Sequence, residues 1–256
     1  MHTKEIQQAA MAFMVIGFLM MATGCQNETP QVDAAEGGNT MAQSEENEGW
    51  QTLFDGTNTE RWRRYRGEAV PEAWVVADDG TLFFSGEGEG GDIVTREQYE
   101  NFELELEWKI SEGGNSGIMF RVSEDHDYPW RTGPEVQILD DERHPDAKEG
   151  PDRWAGANYD MHPPSSAAVH PAGEWNQVRL VVDGAHVEHW LNGVQIVDYE
   201  LWSDAWKELI AQSKWSEMPD YGMRRAGHIC LQDHGDLVWF RNIRIRRLPA
   251  SDEAAS

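Results

Sequence analysis

Cysteine is nearly absent from this chain: its 256 residues include two, Cys25 and Cys230. Cys230 falls inside an apolar strand-like run, so the pair has no framework to build, and a disulfide-stapled fold is excluded. Basic residues are scarce as well. Lysine and arginine total 21 against 46 acidic residues, for a net charge of −25. A nucleic-acid partner needs clustered cations against phosphate, so that partner class is excluded too. The one glycine-rich stretch, Gly86–Gly91, carries glutamate, no lysine and no GxGxxG ahead of a helix; it reads as a flexible loop, not a phosphate cradle. Long apolar runs are missing with one exception, Ala9–Ala22, which is too short for a comfortable membrane span.

That run belongs to an export segment, residues 1–25, with Lys4 ahead of it. It ends Ala22-Thr23-Gly24-Cys25, which resembles the lipobox of bacterial lipoproteins, with alanine where leucine is usual. The resemblance implies a lipid on Cys25 and a chain anchored to a bacterial membrane, facing the periplasm or the cell surface. Gln26 after the cysteine is compatible with the outer membrane. An ordinary signal peptide that happens to contain a cysteine is the alternative. Residues 26–48 hold almost no large apolar side chain and cannot bury enough surface to offset ordering, so they read as a disordered acidic tether. Such a tether spans roughly 25 Å root-mean-square.

Composition turns aromatic and aliphatic at Gly49. Residues 49–248 read as one domain and 249–256 as a frayed tail. Phe102, Leu104, Leu106, Trp108 and Ile110 alternate with Glu103, Glu105, Glu107 and Lys109, a period of two that predicts a strand with one buried and one solvated face. The Gly-rich turn after it predicts a hairpin with Asn115–Arg121. Trp74–Val76 and Thr81–Phe84 flank a turn at Asp78–Gly80, and Asn192-Gly193 is a strong hairpin signal. Trp202, Trp206, Leu209 and Ile210 recur at helical spacing within Leu201–Met218, and Arg241-Asn242 marks a bulge in the last strand. Many short antiparallel strands between Gly and Asn/Asp turns predict an all-β, two-sheet jelly-roll sandwich with a long loop insertion and one short helix.

The polar candidates lie on three such segments. In Glu135–Leu139, Val136 and Ile138 point one way while Glu135 and Gln137 point the other, followed by Asp140, Asp141 and His144. Asn115 and Arg121 share a side of NSGIMFR, and Gln232 and His234 share a side of GHICLQDH. With the apolar sides on one core, these polar groups converge on one surface, a mixture of donors and acceptors suited to a polyhydroxylated ligand. A solvated outer sheet face is the plainer alternative. Between Asp141 and Gly173 the strand pattern lapses into a Pro-rich stretch, and a connection of that length in a compact domain is usually functional. It is placed as a lid over the polar face. Trp154 and Tyr159 within it are sugar platforms or packing anchors.

WQTLFDGTN, YENFELELEWKI, GGNSGIMFR, PEVQILDD, AGEWNQV, HWLNG and LQDHG…FRNIRIRRL resemble, in order, the signatures of the 3-keto-disaccharide hydrolase domain family, over about residues 49–248. The resemblance implies a concanavalin A-like lectin/glucanase sandwich that acts on 3-keto-glycosides. A ketone at C3 acidifies the C2 hydrogen; removing it lets the enolate expel the C1 oxygen, and water then adds back. Glu135 or His234 is the candidate base. Arg121, or a divalent metal held by Glu135, Asp140, His144 or His234, is the candidate enolate partner. The resemblance fixes no cofactor, and a divalent metal stays open. Asn115, Gln137, Gln232, Trp154 and Tyr159 are candidate substrate contacts. Two rivals remain: a retaining glucanase using Glu135 and Asp140 as its acids, and a carbohydrate-binding module with no turnover.

Overall fold

The computed structural model describes residues 49–249; the export segment with Cys25, the tether, and residues 250–256 of the tail lie outside the described residues. Eight strands make one antiparallel sheet: β1 (Trp50–Phe54), β3 (Trp74–Val76), β4 (Leu82–Phe84), β6 (Phe102–Ile110), β9 (Asn176–Asp183), β10 (His186–Leu191), β11 (Val194–Glu200) and β13 (Val238–Arg247). Their order is β11-β10-β9-β6-β13-β4-β3, with β1 paired to β13 as well. The second sheet has five: β2 (Trp62–Arg64), β5 (Ile93–Thr95), β7 (Asn115–Val122), β8 (Glu135–Leu139) and β12 (His228–Leu231), in the order β2-β5-β12-β7-β8. One core joins them, with Phe102, Leu104 and Trp108 of β6 buried in the same cluster as Ile118, Phe120, Val136 and Ile138. The all-β two-sheet sandwich expected from the turn spacing is what forms.

The alternation of β6 puts its apolar side chains inward, but its glutamates are more than solvated. Glu103 pairs with Arg179 and Arg246, Glu105 with Arg244 at 2.7 Å, and Glu107 with Arg241 at 2.6 Å. The bases come from the flanking strands β9 and β13, which a reading along β6 alone does not show. Each partly exposed pair contributes on the order of 0.2–1 kcal/mol.

The hairpin expected between β6 and β7 does not form. The turn through Gly113 and Gly114 carries the chain from one sheet to the other. Both strands bury one face on the same core, so alternation cannot tell strands that pair from strands that face each other. The Asn192-Gly193 hairpin forms, with φ of +50° and +80° as a tight primed turn requires. So does the bulge in β13, where Asn242 has φ +53° and the register to β6 slips between Arg241 and Arg244. The helix α1 (Asp204–Gln212) begins at Ser203, whose hydroxyl accepts from the Trp206 amide at 3.1 Å, and a 3-10 turn (Lys214–Glu217) follows it.

The long loop is not a lid. β8 is the edge of its sheet, and the loop satisfies that edge: Gly156 N–H donates to Gln137 O at 2.8 Å, Gln137 N–H to Ala157 O at 3.0 Å, and Tyr159 N–H to Glu135 O at 3.0 Å. An open edge carries unpaired backbone groups that need partners, so the segment extends the sheet sideways and forms its rim.

Candidate active site

Strands β12, β7 and β8 lie side by side, with Met119 opposite Glu135 and Gly117 opposite Gln137. Their core-facing residues are those the alternation predicts. On the opposite surface Asn115, Glu135, Gln137 and Gln232, with His234 at the exit of β12, line one cleft of about 560 Å³. Part of that surface is apolar instead. Met119, Val122 and Cys230 form a small buried cluster with Tyr65 and Val94, and His228 Nδ1 donates to Thr95 O at 2.6 Å, away from the cleft.

Glu135 is 4% exposed, and among the described residues no hydrogen bond reaches its carboxyl oxygens. It lies over Gly117, where a Cβ would collide with its carboxyl group. Burial pushes its pKa up to about 8 from an ordinary 4.5; Lys214 pulls the other way, and Asp92 and Asp146 add to the rise. Around it, Asn115 Oδ1, Gln137 Oε1 and Gln232 Oε1 are buried without hydrogen-bond partners. Buried polar atoms are nearly always paired, and three orphans lining one cleft form a surface ready for hydroxyl donors.

The walls come from segments that strand periodicity does not reach. Tyr159 stands on one side, its hydroxyl donating to Asp146 at 2.8 Å. Lys214 and Trp215 come from the 3-10 turn after α1 and Met218 caps it, with the Lys214 Nζ 4.0 Å from the Tyr159 ring centre and 4.5 Å from that of Trp215. Desolvation there lowers the Lys214 pKa. Tyr128, 54% exposed, stacks on Trp130 at 5.3 Å and lines the mouth. Asp92 and Asp233 also line the cleft, with the Asp233 amide donating to Asp92 at 2.9 Å and the Gly91 amide donating to Asp233 at 2.7 Å. Burial raises the Asp92 pKa to about 6. Of these wall residues Tyr159 is a sequence candidate; the others are not singled out by the sequence, although Asp233 lies between Gln232 and His234.

Four candidate residues fall elsewhere. Arg121 is 1% exposed and has φ +51°, at a bulge where β7 slips against β12. The slip reverses its side, and its guanidinium donates to Glu100 O at 2.9 Å and Gly184 O at 2.8 Å. It does not line the cleft. The Asp140 carboxylate accepts from the amides of Gly113 at 2.7 Å and Glu142 at 3.1 Å and pairs with Arg143. It ties a turn and cannot be the second acid of a retaining pair. His144 Nδ1 accepts from the Asp146 amide at 3.1 Å, and its ring stands 6.4 Å from that of His234. Trp154, 38% exposed, donates its indole N–H to Ala147 O and packs outside the cleft, so of the two loop aromatics it is Tyr159 that lines it. Among the described residues the one group of three close enough to hold a metal is His186, Glu188 and Asp198 on the other sheet; Glu135, Asp140, His144 and His234 form no such group.

Known proteins resemble this chain over most of its length. The 3-keto-disaccharide hydrolase of Bacteroides thetaiotaomicron is 38% identical over 230 residues, covering 78% of this chain and 79% of that protein. A crystal structure from Parabacteroides distasonis named a "putative glycosyl hydrolase" superposes with a TM-score of 0.74 at 37% identity, covering 81% of this chain and 97% of the other. A second from the same organism gives 0.60 at 31% identity, over 78% and 99%. The model of the 3-keto-alpha-glucoside-1,2-lyase-like domain matches residues 49–246. With more than half of its length so matched, this chain belongs to the family of 3-keto-alpha-glucoside-1,2-lyase-like domains.

Proposed function

We propose that this protein cleaves the glycosidic bond of 3-keto-glycosides by elimination and rehydration, with Glu135 as the base. The carrying observation is one carboxyl group, buried and unpaired, facing the cleft from a rigid strand. A base whose pKa stands near the working pH is suited to removing a carbon-bound proton. The ionised Glu135 takes the C2 hydrogen, and the C–H pair becomes the C2–C3 double bond of an enolate at O3. That pair then returns: the C3 carbonyl re-forms, C1=C2 forms, and the C1–O bond breaks, its oxygen taking a proton from an acid at the cleft rim, His234 or Asp92. Water adds across C1=C2, placing hydroxyl on C1 and hydrogen on C2. Asn115, Gln137 and Gln232 meet the sugar hydroxyls. The relatives' names support the substrate class.

The test is product analysis in deuterated water with 3-keto-sucrose, 3-keto-trehalose and the unoxidised parents. Cleavage of the keto-sugars alone, with deuterium at C2, is expected. Hydrolysis of an unoxidised glucan, or product without C2 deuterium, overturns the reading; binding of sugars with no turnover leaves a carbohydrate-binding module. We further propose that the domain is held at a bacterial membrane by a lipid on Cys25, as its lipobox-like segment implies.

A further inference from the structure

Elimination needs a second group that the candidate residues on the strands do not supply, a partner for the charge that gathers on O3. Arg121, the sequence-based candidate, is spent on backbone carbonyls behind the sheet. Lys214 is the only lysine or arginine among the described residues lining the cleft. Its neighbours are the faces of Tyr159 and Trp215, and among the described residues no carboxylate forms an ion pair with its Nζ. Its backbone position is held by its neighbours. Trp215, the next residue, is buried and stacks on Tyr221 at 4.1 Å, and the Ser213 hydroxyl accepts from the Trp215 amide at 3.2 Å. Glu135 feels the charge of Lys214 across the cleft, yet the two do not pair, which leaves the space between them for a ligand.

We propose that the Lys214 ammonium is a catalytic residue that hydrogen-bonds O3 of the bound 3-keto-sugar and holds the enolate while Glu135 takes the C2 proton. The proposal rests on the elimination reading above and names its missing partner. C2 and O3 sit on adjacent carbons, so the base and the cation must face one planar unit from two sides. Here one comes from the sheet floor and the other from the wall above it. The ammonium keeps its proton throughout: as charge moves from the ketone to O3 its hydrogen bond strengthens, and as the carbonyl re-forms it weakens. A cation already desolvated against two aromatic faces needs little reorganisation to do this, and a preorganised donor at a developing oxyanion is worth about 10²–10³-fold in rate.

The experiment separates enolisation from bond breaking by using a 3-keto-sugar with hydrogen in place of the C1 leaving group. Wild type in deuterated water is expected to exchange its C2 hydrogen. Lys214→Met is expected to lose both exchange and turnover of 3-keto-disaccharides by about 10²–10³-fold, and Lys214→Arg, which keeps a cation, to recover about tenfold over Lys214→Met. Wild-type exchange that survives in Lys214→Met while turnover falls overturns the proposal and leaves elimination standing. Absence of exchange in wild type sinks the elimination reading and this proposal with it. A substrate adduct trapped on Lys214 by borohydride also overturns it, because the lysine would then act as a covalent imine and not as a charge.

Discussion

Replacing Glu135 with glutamine should stabilise this protein as the pH rises while it removes catalysis. The carboxyl is 4% exposed, with a pKa of about 8 in the fold against an ordinary 4.5. The folded state therefore holds the proton more tightly than the unfolded chain. Its contribution to stability is complete below about pH 4.5 and is lost progressively as the pH climbs through 8. Glutamine keeps the shape and carries no charge, so it escapes that loss. At 1.36 kcal/mol per pKa unit, Glu135→Gln gains less than about 1 kcal/mol at pH 5, about 3 kcal/mol at pH 7 and about 5 kcal/mol above pH 9. Denaturant midpoints of both proteins at pH 5, 7 and 9 measure the difference directly. Over the same range wild-type kcat/KM should rise about tenfold per pH unit and level off near 8, because only the ionised carboxylate accepts the proton. The variant should fall about 10²–10⁴-fold. A stability difference that is flat across the pH series would show that Glu135 is not desolvated as its burial implies. Near-wild-type turnover would move the base elsewhere.

Three further outcomes are expected. Gly117→Ala puts a methyl where the Glu135 carboxyl lies; with that base displaced by about an ångström, turnover should drop about 10²-fold, with melting temperature reporting whether the strand survives. His234→Ala should lower turnover of substrates with poor leaving groups more than of those carrying nitrophenol, and equal losses on both would remove it as the leaving-group acid. Cys25→Ser should release the protein from the membrane fraction or block its processing, and a variant that stays membrane-bound and normally cleaved would end the lipid-anchor reading.

The floor of the cleft was legible because a strand has only two faces. Once Val136 and Ile138 go to the core, Glu135 and Gln137 have to face away from it, and the same step places Asn115 and Gln232. The argument fails where the period breaks. Arg121 sits at a bulge with φ +51°, and one residue in that conformation reverses the side on which it emerges. An ordinary arginine in a strand-like run gives no sign of it. Asp140 failed differently: it stands one residue past the strand, where backbone amides of Gly113 and Glu142 compete for its oxygens. Lys214 was hidden because its position depends on packing. Helical spacing pointed to Trp206 as an anchor, but nothing in that spacing tells which rim of the sandwich the segment docks against, and Lys214 follows wherever its neighbour Trp215 is buried.

The division between floor and walls also bears on the chemistry. A retaining glycosidase needs two carboxyls about 5–5.5 Å apart. On β8 the neighbour of Glu135 on the cleft side is Gln137, and the next acid is committed to a turn. Two carboxylates on adjacent positions of one sheet face would raise each other's pKa by repulsion. Here an amide takes that place, and burial does the raising. Elimination asks for one base, on an element that does not move, and one cation on the opposite side of the sugar ring. A sheet supplies the first, because Glu135 is held at the backbone by β7 on one side and by Tyr159 on the other. A loop-borne wall supplies the second and can vary in sequence without disturbing the base. On the proposed reading the floor supplies the base and the wall the cation, and Tyr128, Trp130 and Met218, which also line the cleft, would meet the rest of the glycoside.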